Sequence, residues 1–236
     1  MSGKYFCLGD LHGRASALEE VLEKCNFDFK NDTLISLGDI CDGGRETKRC
    51  FEILETIPNK IITKSNHDIW AMDWMTTGKE FPGWVHQGGY ATMESYGFDR
   101  DNVPHTHIEM LLTARPYYID SLNNLYVHGG IDRDLPIEKQ TVDFITWDRD
   151  LVKYAFKHSQ RQNFRVKPYN HIFVGHTTTQ FFKSESPLIL GNVIMLDTGA
   201  GHLGKLSIMD IETLDYWQSG KQGSCINKKF YFGGGN

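Results

Sequence analysis

Short runs of β-branched and aromatic residues recur along the chain, spaced widely enough to leave room for helices. They are YFCL at 5–8, LISL at 34–37, KIIT at 60–63, NLYVH at 124–128, IFV at 172–174, VIML at 193–196 and KLSIM at 205–209. Each is bounded by turn formers, the pattern of buried strands. Between the first three runs the apolar period lengthens. Leu18, Val21, Leu22 and Cys25 stand at i, i+3, i+4 and i+7, and Cys50, Ile53, Leu54 and Ile57 repeat that spacing before Pro58. Both stretches predict amphipathic helices. The N-terminal third therefore predicts β-α-β-α-β with parallel neighbours and right-handed crossovers. Near the C-terminus VIML, KLSIM and LDYW follow one another across short turns, which predicts an antiparallel meander. Residues 67–115 are expected to be mostly helical or irregular, a cap or flank on the sheet. The expected organisation is a single domain over 1–219 with a C-terminal tail at 220–236.

The residues that follow the strands repeat one chemistry. YFCL leads into Gly9-Asp10-Leu11-His12, LISL into Gly38-Asp39 and then Asp42, and KIIT into Lys64-Ser65-Asn66-His67-Asp68. Two later strands end at His128 and His176. Parallel strands of an α/β sheet end on one edge, where ligands bind, so these residues are expected to converge. Taken singly, an Asp after a strand is a turn former or helix N-cap. Five strand ends of one chemical type argue for a shared site.

Carboxylate, amide oxygen and neutral imidazole suit Mn²⁺, Fe²⁺ or Zn²⁺, and thiolates are absent from the set. The donors exceed what one ion needs. Two divalent ions sharing a carboxylate, roughly 3.5–4 Å apart, would use them and are suited to activating water and clamping a phosphoryl group. Asp10, His12 and Asp39 are assigned to one ion, and Asp39, Asn66, His128 and His176 to the other.

Composition narrows the classes. With 236 residues, 40% hydrophobic and 23% charged, the chain reads as a folded domain with one sizeable core. Its longest apolar runs fall short of the roughly 20 residues that cross a bilayer, and a basic-then-apolar leader is absent, so no membrane association is expected. Five cysteines without a CxxC pair exclude a zinc knuckle or disulfide framework and point to a reducing cytoplasm. Net charge is −5, and the one basic stretch, RQNFRVK at 161–167, reads as a solvated loop rather than a nucleic-acid surface.

The segments GDLHG, GDICDGG, SNHD, HGGI and VGHTTT resemble, in order and spacing, the motifs of the phosphoprotein phosphatases within the calcineurin-like metallophosphoesterases. The small bacterial and phage branch is the most similar, since GWVHQGG at 83–89, ITWDRD at 145–150 and LDTGAGHLGKLSIMD at 196–210 also resemble its segments. The resemblance spans residues 5–210. It implies an α/β fold, a two-layer β-sandwich of mixed sheets flanked by helices, with a dinuclear centre that often holds Mn²⁺. It also implies His67 as general acid, held by Asp42, and Arg149 as a phosphate clamp. The substrate it implies is a phosphomonoester, with Ser/Thr phosphoproteins as partners. Diadenosine tetraphosphate and other nucleotides, or phosphodiesters, are the alternatives, and a binding module with a relic metal site is the non-enzymatic one.

The chain departs from that pattern at Gly43, which replaces a second clamping arginine, with Arg45 two residues on as a substitute. Ser65 replaces a Gly and Asp68 a Glu. His86 and His202 are expected to border the cleft, Cys41 to be a small buried side chain, and Gly88 and Gly89 to make a tight turn.

Overall fold

The structure, a computed structural model, describes residues 3–221. In chain order it places β1 (Tyr5–Leu8), α1 (Ala15–Lys24), β2 (Thr33–Ser36), α2 (Thr47–Glu55), β3 (Lys60–Ile62), α3 (Asn66–Thr77), α4 (Pro82–Trp84), α5 (Tyr90–Ser95) and α6 (His105–Leu112). Then come β4 (Tyr118–Ile119), β5 (Leu125–Val127), α7 (Val142–Trp147), α8 (Asp150–His158), β6 (Ile172–Val174), β7 (Leu188–Leu190), β8 (Val193–Met195), β9 (Ser207–Asp210) and β10 (Tyr216–Gln218). The tail expected at 220–236 lies, from residue 222 on, outside the described residues.

Alternation along the strands sorts their side chains between two layers of core. Phe6 and Leu8 of β1 pack under α1 and α2 with Leu18, Val21, Leu22, Cys50, Ile53, Leu54 and Ile57, the helical stripes that the sequence predicts. Cys7, between them, faces the other way and joins Ile35, Tyr126, Phe173, Ile194 and Met209. On the second sheet Leu125, Val127, Ile172, Val174, Val193 and Met195 pack with Leu151, Val152 and Ala155 of α8. Two sheets therefore meet face to face, each with helices on its outer side, as the family resemblance implies. Between them the rings of Tyr126 and Phe173 stack with centroids 4.9 Å apart.

The first sheet runs β10-β9-β1-β2-β3 and the second β4-β5-β6-β8-β7. β1, β2 and β3 are parallel, as expected, and so are β5, β6 and β8. The C-terminal meander is only half present. β9 and β10 pair antiparallel in the first sheet, whereas β8 lies in the second, parallel to β6. Short spacing alone cannot distinguish a hairpin from a strand that changes sheet. Here residues 196–206 make the crossing, pinned where Thr198 Oγ1 lies 2.7 Å from the Lys205 carbonyl and 2.6 Å from Ser207 Oγ. β4 and β7, antiparallel edge strands of two and three residues, are too short to show a period in sequence.

Candidate active site

Three parallel strands from each sheet deliver their following residues to one cleft of about 490 Å³. β1 supplies Asp10 and His12, β2 supplies Asp39 and Asp42, and β3 supplies Asn66 and His67. From the second sheet come His128 after β5, His176 after β6 and Asp197 after β8. The turns bind one another: the His12 and Gly13 N–H groups donate to the Asp39 and Ile40 carbonyls at 2.6 and 2.8 Å. The Asp39 N–H donates to Ser65 Oγ at 2.8 Å, so Ser65 both caps α3 and fixes the central carboxylate.

All six residues expected to ligate metal come together. Asp10, His12 and Asp39 present ligand atoms within 4.8 Å of one another, and so do Asp39, His128 and His176. Asp39 belongs to both groups through different oxygens. Its Oδ2 lies 3.5 Å from His12 Nε2 and its Oδ1 lies 3.3 Å from His128 Nε2. Asn66 joins the second group, with Oδ1 2.9 Å from His128 Nε2.

The protonation pattern fits cations. His128 Nδ1 lies 2.7 Å from the Leu37 carbonyl, which only accepts, so Nδ1 carries the hydrogen. Burial keeps this imidazole's pKa low, so the ring is neutral and Nε2 presents a lone pair. That lone pair faces two more acceptors, Asn66 Oδ1 and Asp39 Oδ1, an arrangement that calls for a shared cation. Burial also lowers His12 to about 4 and His176 to about 3, leaving both neutral and able to ligate. Asp10 Oδ1 and His176 Nε2 are buried without a hydrogen-bond partner. Asp10 is pushed up by burial and then by the carboxylates of Asp197 and Asp39. Burial likewise raises Asp197 to about 6. Neutral imidazoles beside crowded carboxylates, with lone pairs unspent, are the donor set of a divalent-cation centre.

His67 and Asp42 form a separate pair, Nδ1 to Oδ2, at 2.7 Å. Asp42 is buried, and Oδ2 also accepts from Trp84 Nε1 while Oδ1 accepts from Thr92 Oγ1, each at 2.8 Å. Burial raises the Asp42 pKa, against the pull of these donors. For His67 burial opposes the charged form, but Asp39, then Asp42 and Asp68, outweigh it and raise the imidazole to about 9. With Nδ1 held by Asp42, Nε2 is the nitrogen left to serve the cleft.

The two arginines differ. Arg149 lines the cleft and is anchored through Nη1 to the His176 carbonyl at 3.0 Å and Thr177 Oγ1 at 3.1 Å. Arg45 also lines it, but its Nε lies 2.9 Å from a Glu94 carboxylate oxygen. Gly43, the residue standing where the family has arginine, adopts φ +84° beside His12 and Gly201. His86 and His202 line the cleft as expected, and Cys41 is buried with its thiol pKa raised by burial. Gly88 has φ +115°, and a Cβ there would lie 2.4 Å from the Gly43 nitrogen. That close approach lets the 83–89 segment bring Trp84 against Asp42. Asp197, Trp84, Thr92 and Glu94 are site residues that the sequence reading passes over. Asp197 alone had a signal, since it follows VIML by the same strand-end rule.

Crowded carboxylates and neutral imidazoles beside a buried acid–base pair define a class, the metal-assisted hydrolases. Sequence comparison narrows it: the family model for calcineurin-like phosphoesterases matches residues 3–180, and the chain belongs to that family, a family of phosphoric ester hydrolases. It is similar to serine/threonine-protein phosphatase 2 of Salmonella typhimurium, 29% identical over 215 residues that cover 87% of this chain and 91% of the relative. A shorter similarity, 27% over 79 residues, covers 33% of this chain and 29% of a symmetrical bis(5'-nucleosyl)-tetraphosphatase of Dechloromonas aromatica. Among solved structures, one provisionally assigned as a diadenosine tetraphosphatase superposes with a TM-score of 0.67 at 16% identity, covering 94% of this chain and 96% of that one. No helix among the described residues is long and apolar enough to cross a membrane.

Proposed function

We propose that the chain is a cytoplasmic phosphomonoesterase that uses two divalent cations, Mn²⁺ first among them, and acts on phosphoserine and phosphothreonine in proteins. The observation that carries this reading is Asp39, whose two oxygens face two separate donor groups beside the His67–Asp42 pair. Asp10, His12 and Asp39 would hold one cation, and Asp39, Asn66, His128 and His176 would hold the other. When bound, the cations supply Lewis acidity to phosphoryl oxygens and make water nucleophilic near neutral pH.

The chain's own groups do the rest. Arg149, oriented by the His176 carbonyl and Thr177, offers its guanidinium to phosphate oxygens on the second-sheet side of the cleft. His67 gives the proton on Nε2 to the departing alkoxide, while Asp42 holds Nδ1 and stabilises the imidazolium before transfer. Trp84 and Thr92 hold Asp42 in turn, so the acid is aligned before substrate arrives. Support for a protein substrate comes from the Salmonella phosphatase, whose similarity runs over most of both chains. The nucleotide alternative has a relative that matches a third of this chain.

Purified protein stripped of metal and reloaded with Mn²⁺, Fe²⁺ or Zn²⁺ tests the reading. The substrates are p-nitrophenyl phosphate, its bis ester, a phosphoserine peptide and diadenosine tetraphosphate. The monoester and the peptide are expected to be hydrolysed fastest, and with Mn²⁺. A metal-loaded protein inactive on all four is instead a binding module.

A further inference from the structure

We propose that the Glu94–Arg45 ion pair is a specificity filter in the cleft wall: by occupying Arg45, Glu94 denies polyphosphates a counter-charge there, so the cleft favours substrates with one phosphoryl group. This deepens the phosphomonoesterase reading above and rests on it. Both residues line the same cleft as Asp39, His67 and Arg149. Arg45 leaves the Asp42 turn just before α2, and Glu94 stands in the last turn of α5, so two separate elements bring the pair together.

The charge balance of that wall is unusual for a site that handles phosphate. Gly43 offers no side chain, and the Arg45 guanidinium is engaged at 2.9 Å by a carboxylate. Glu94 Oε2 is buried and has no well-aligned hydrogen-bond donor, its contact with Arg45 Nε being an ion pair only. Each charge of the pair is therefore taken up by the other, and the Arg45 guanidinium is not free to meet phosphate. Arg149 is held at the opposite side by the turn after β6. A phosphoryl group seated at the cations meets Arg149. A second or third phosphoryl group extending along the other wall meets a neutralised pair instead of a free guanidinium, and its charge finds no partner there. An uncharged seryl or threonyl chain needs no such counter-charge, so the filter favours monoesters on polypeptide over chains of phosphates.

Glu94→Gln keeps the shape and a hydrogen-bond acceptor for Arg45 but removes the charge. The probes are inorganic phosphate and inorganic tripolyphosphate, with binding measured by calorimetry on wild-type, E94Q and R45M protein. In parallel, kcat/KM is measured on p-nitrophenyl phosphate and diadenosine tetraphosphate. E94Q is expected to tighten tripolyphosphate about tenfold or more and to raise the diadenosine tetraphosphate to p-nitrophenyl phosphate ratio as much, with phosphate binding changed less than about twofold. R45M, which leaves Glu94 unneutralised, is expected to weaken tripolyphosphate further. An unchanged ratio and unchanged tripolyphosphate affinity in E94Q overturn the filter even if the monoesterase activity is intact. Loss of p-nitrophenyl phosphate hydrolysis in wild-type protein overturns the parent reading instead, and the calorimetry still decides the filter.

Discussion

Replacing Asp42 with Asn removes one charge and little volume, which isolates what the carboxylate does for His67. The pair is buried, with Nδ1 2.7 Å from Oδ2, and His67 is raised to about 9 against the effect of burial. The charge of Asp39 raises it, and Asp42 raises it both by its hydrogen bond and by its charge. Cations held by Asp39 would take up that carboxylate's field, which would leave Asp42 as the main support of the imidazolium. Without it the imidazole falls toward its ordinary value near 6.5. At pH 8 a group of pKa about 9 is about 90% protonated and one of about 6.5 is about 3% protonated, a loss of acid of roughly 30-fold.

That figure is an upper limit, because the cations lower the starting value. The sign follows from the proposed acid role: His67 would work in its protonated form, so turnover would be lost as pH rises through its pKa. Lowering the pKa therefore moves the alkaline limb to lower pH. The assay is kcat on a phosphoserine peptide across the alkaline limb with Mn²⁺ present, and metal content measured on the same samples. A limb that stays in place in D42N while both metals are retained refutes the acid role of the pair.

Three further outcomes follow from the same geometry. His67→Asn is expected to slow hydrolysis of a phosphoserine peptide by about 10²–10⁴ and to affect p-nitrophenyl phosphate far less, because a nitrophenolate departs without a proton. Equal losses on both, with metal retained, would mean that His67 only positions substrate. Asp39→Asn is expected to deplete metal from both groups, read by elemental analysis after desalting, since its oxygens face each of them; full retention of two ions contradicts the shared carboxylate. Mn²⁺ at about 100 times its Kd is expected to stabilise the wild-type fold by about 2.7 kcal/mol, seen as a higher thermal midpoint, and Asp39→Asn should abolish the increase.

Much of this site could be read before any coordinates because strand-ending residues carry its chemistry. A short β-branched or aromatic run followed by a polar turn identifies both an element and what it delivers, which is why the convergence of Asp10, His12, Asp39, Asn66, His128 and His176 was legible. Trp84 and Thr92 were not, because neither is a ligand type. Their value lies in reaching Asp42 from α4 and α5, a proximity made by the kinked 83–89 segment. The Arg45–Glu94 contact is hidden for the same reason, being set by the packing of α5 on α2. The placement of β8 escaped a pattern argument because three apolar residues look alike in either sheet.

The backbone shows how strongly the fold commits itself to the site. His12, Asp39, Asp42 and His176 all have φ between +48° and +73°, the left-handed region that residues with a Cβ seldom occupy. Each such residue costs on the order of 1 kcal/mol or more, and persists only where its surroundings over-determine it. Those surroundings are the interlocked turns, with the Gly44 N–H donating to the His12 carbonyl and the His176 N–H to Asp10 Oδ2, both at 2.8 Å. The same turns crowd buried Asp10, Asp39, Asp68 and Asp197 together. Strain and like charge both oppose folding, and neither is relieved by apolar packing. Divalent cations would neutralise the crowded carboxylates and employ the lone pairs that the strained turns aim at one another. A chain without that use for them would have no physical reason to keep the two costs in one place.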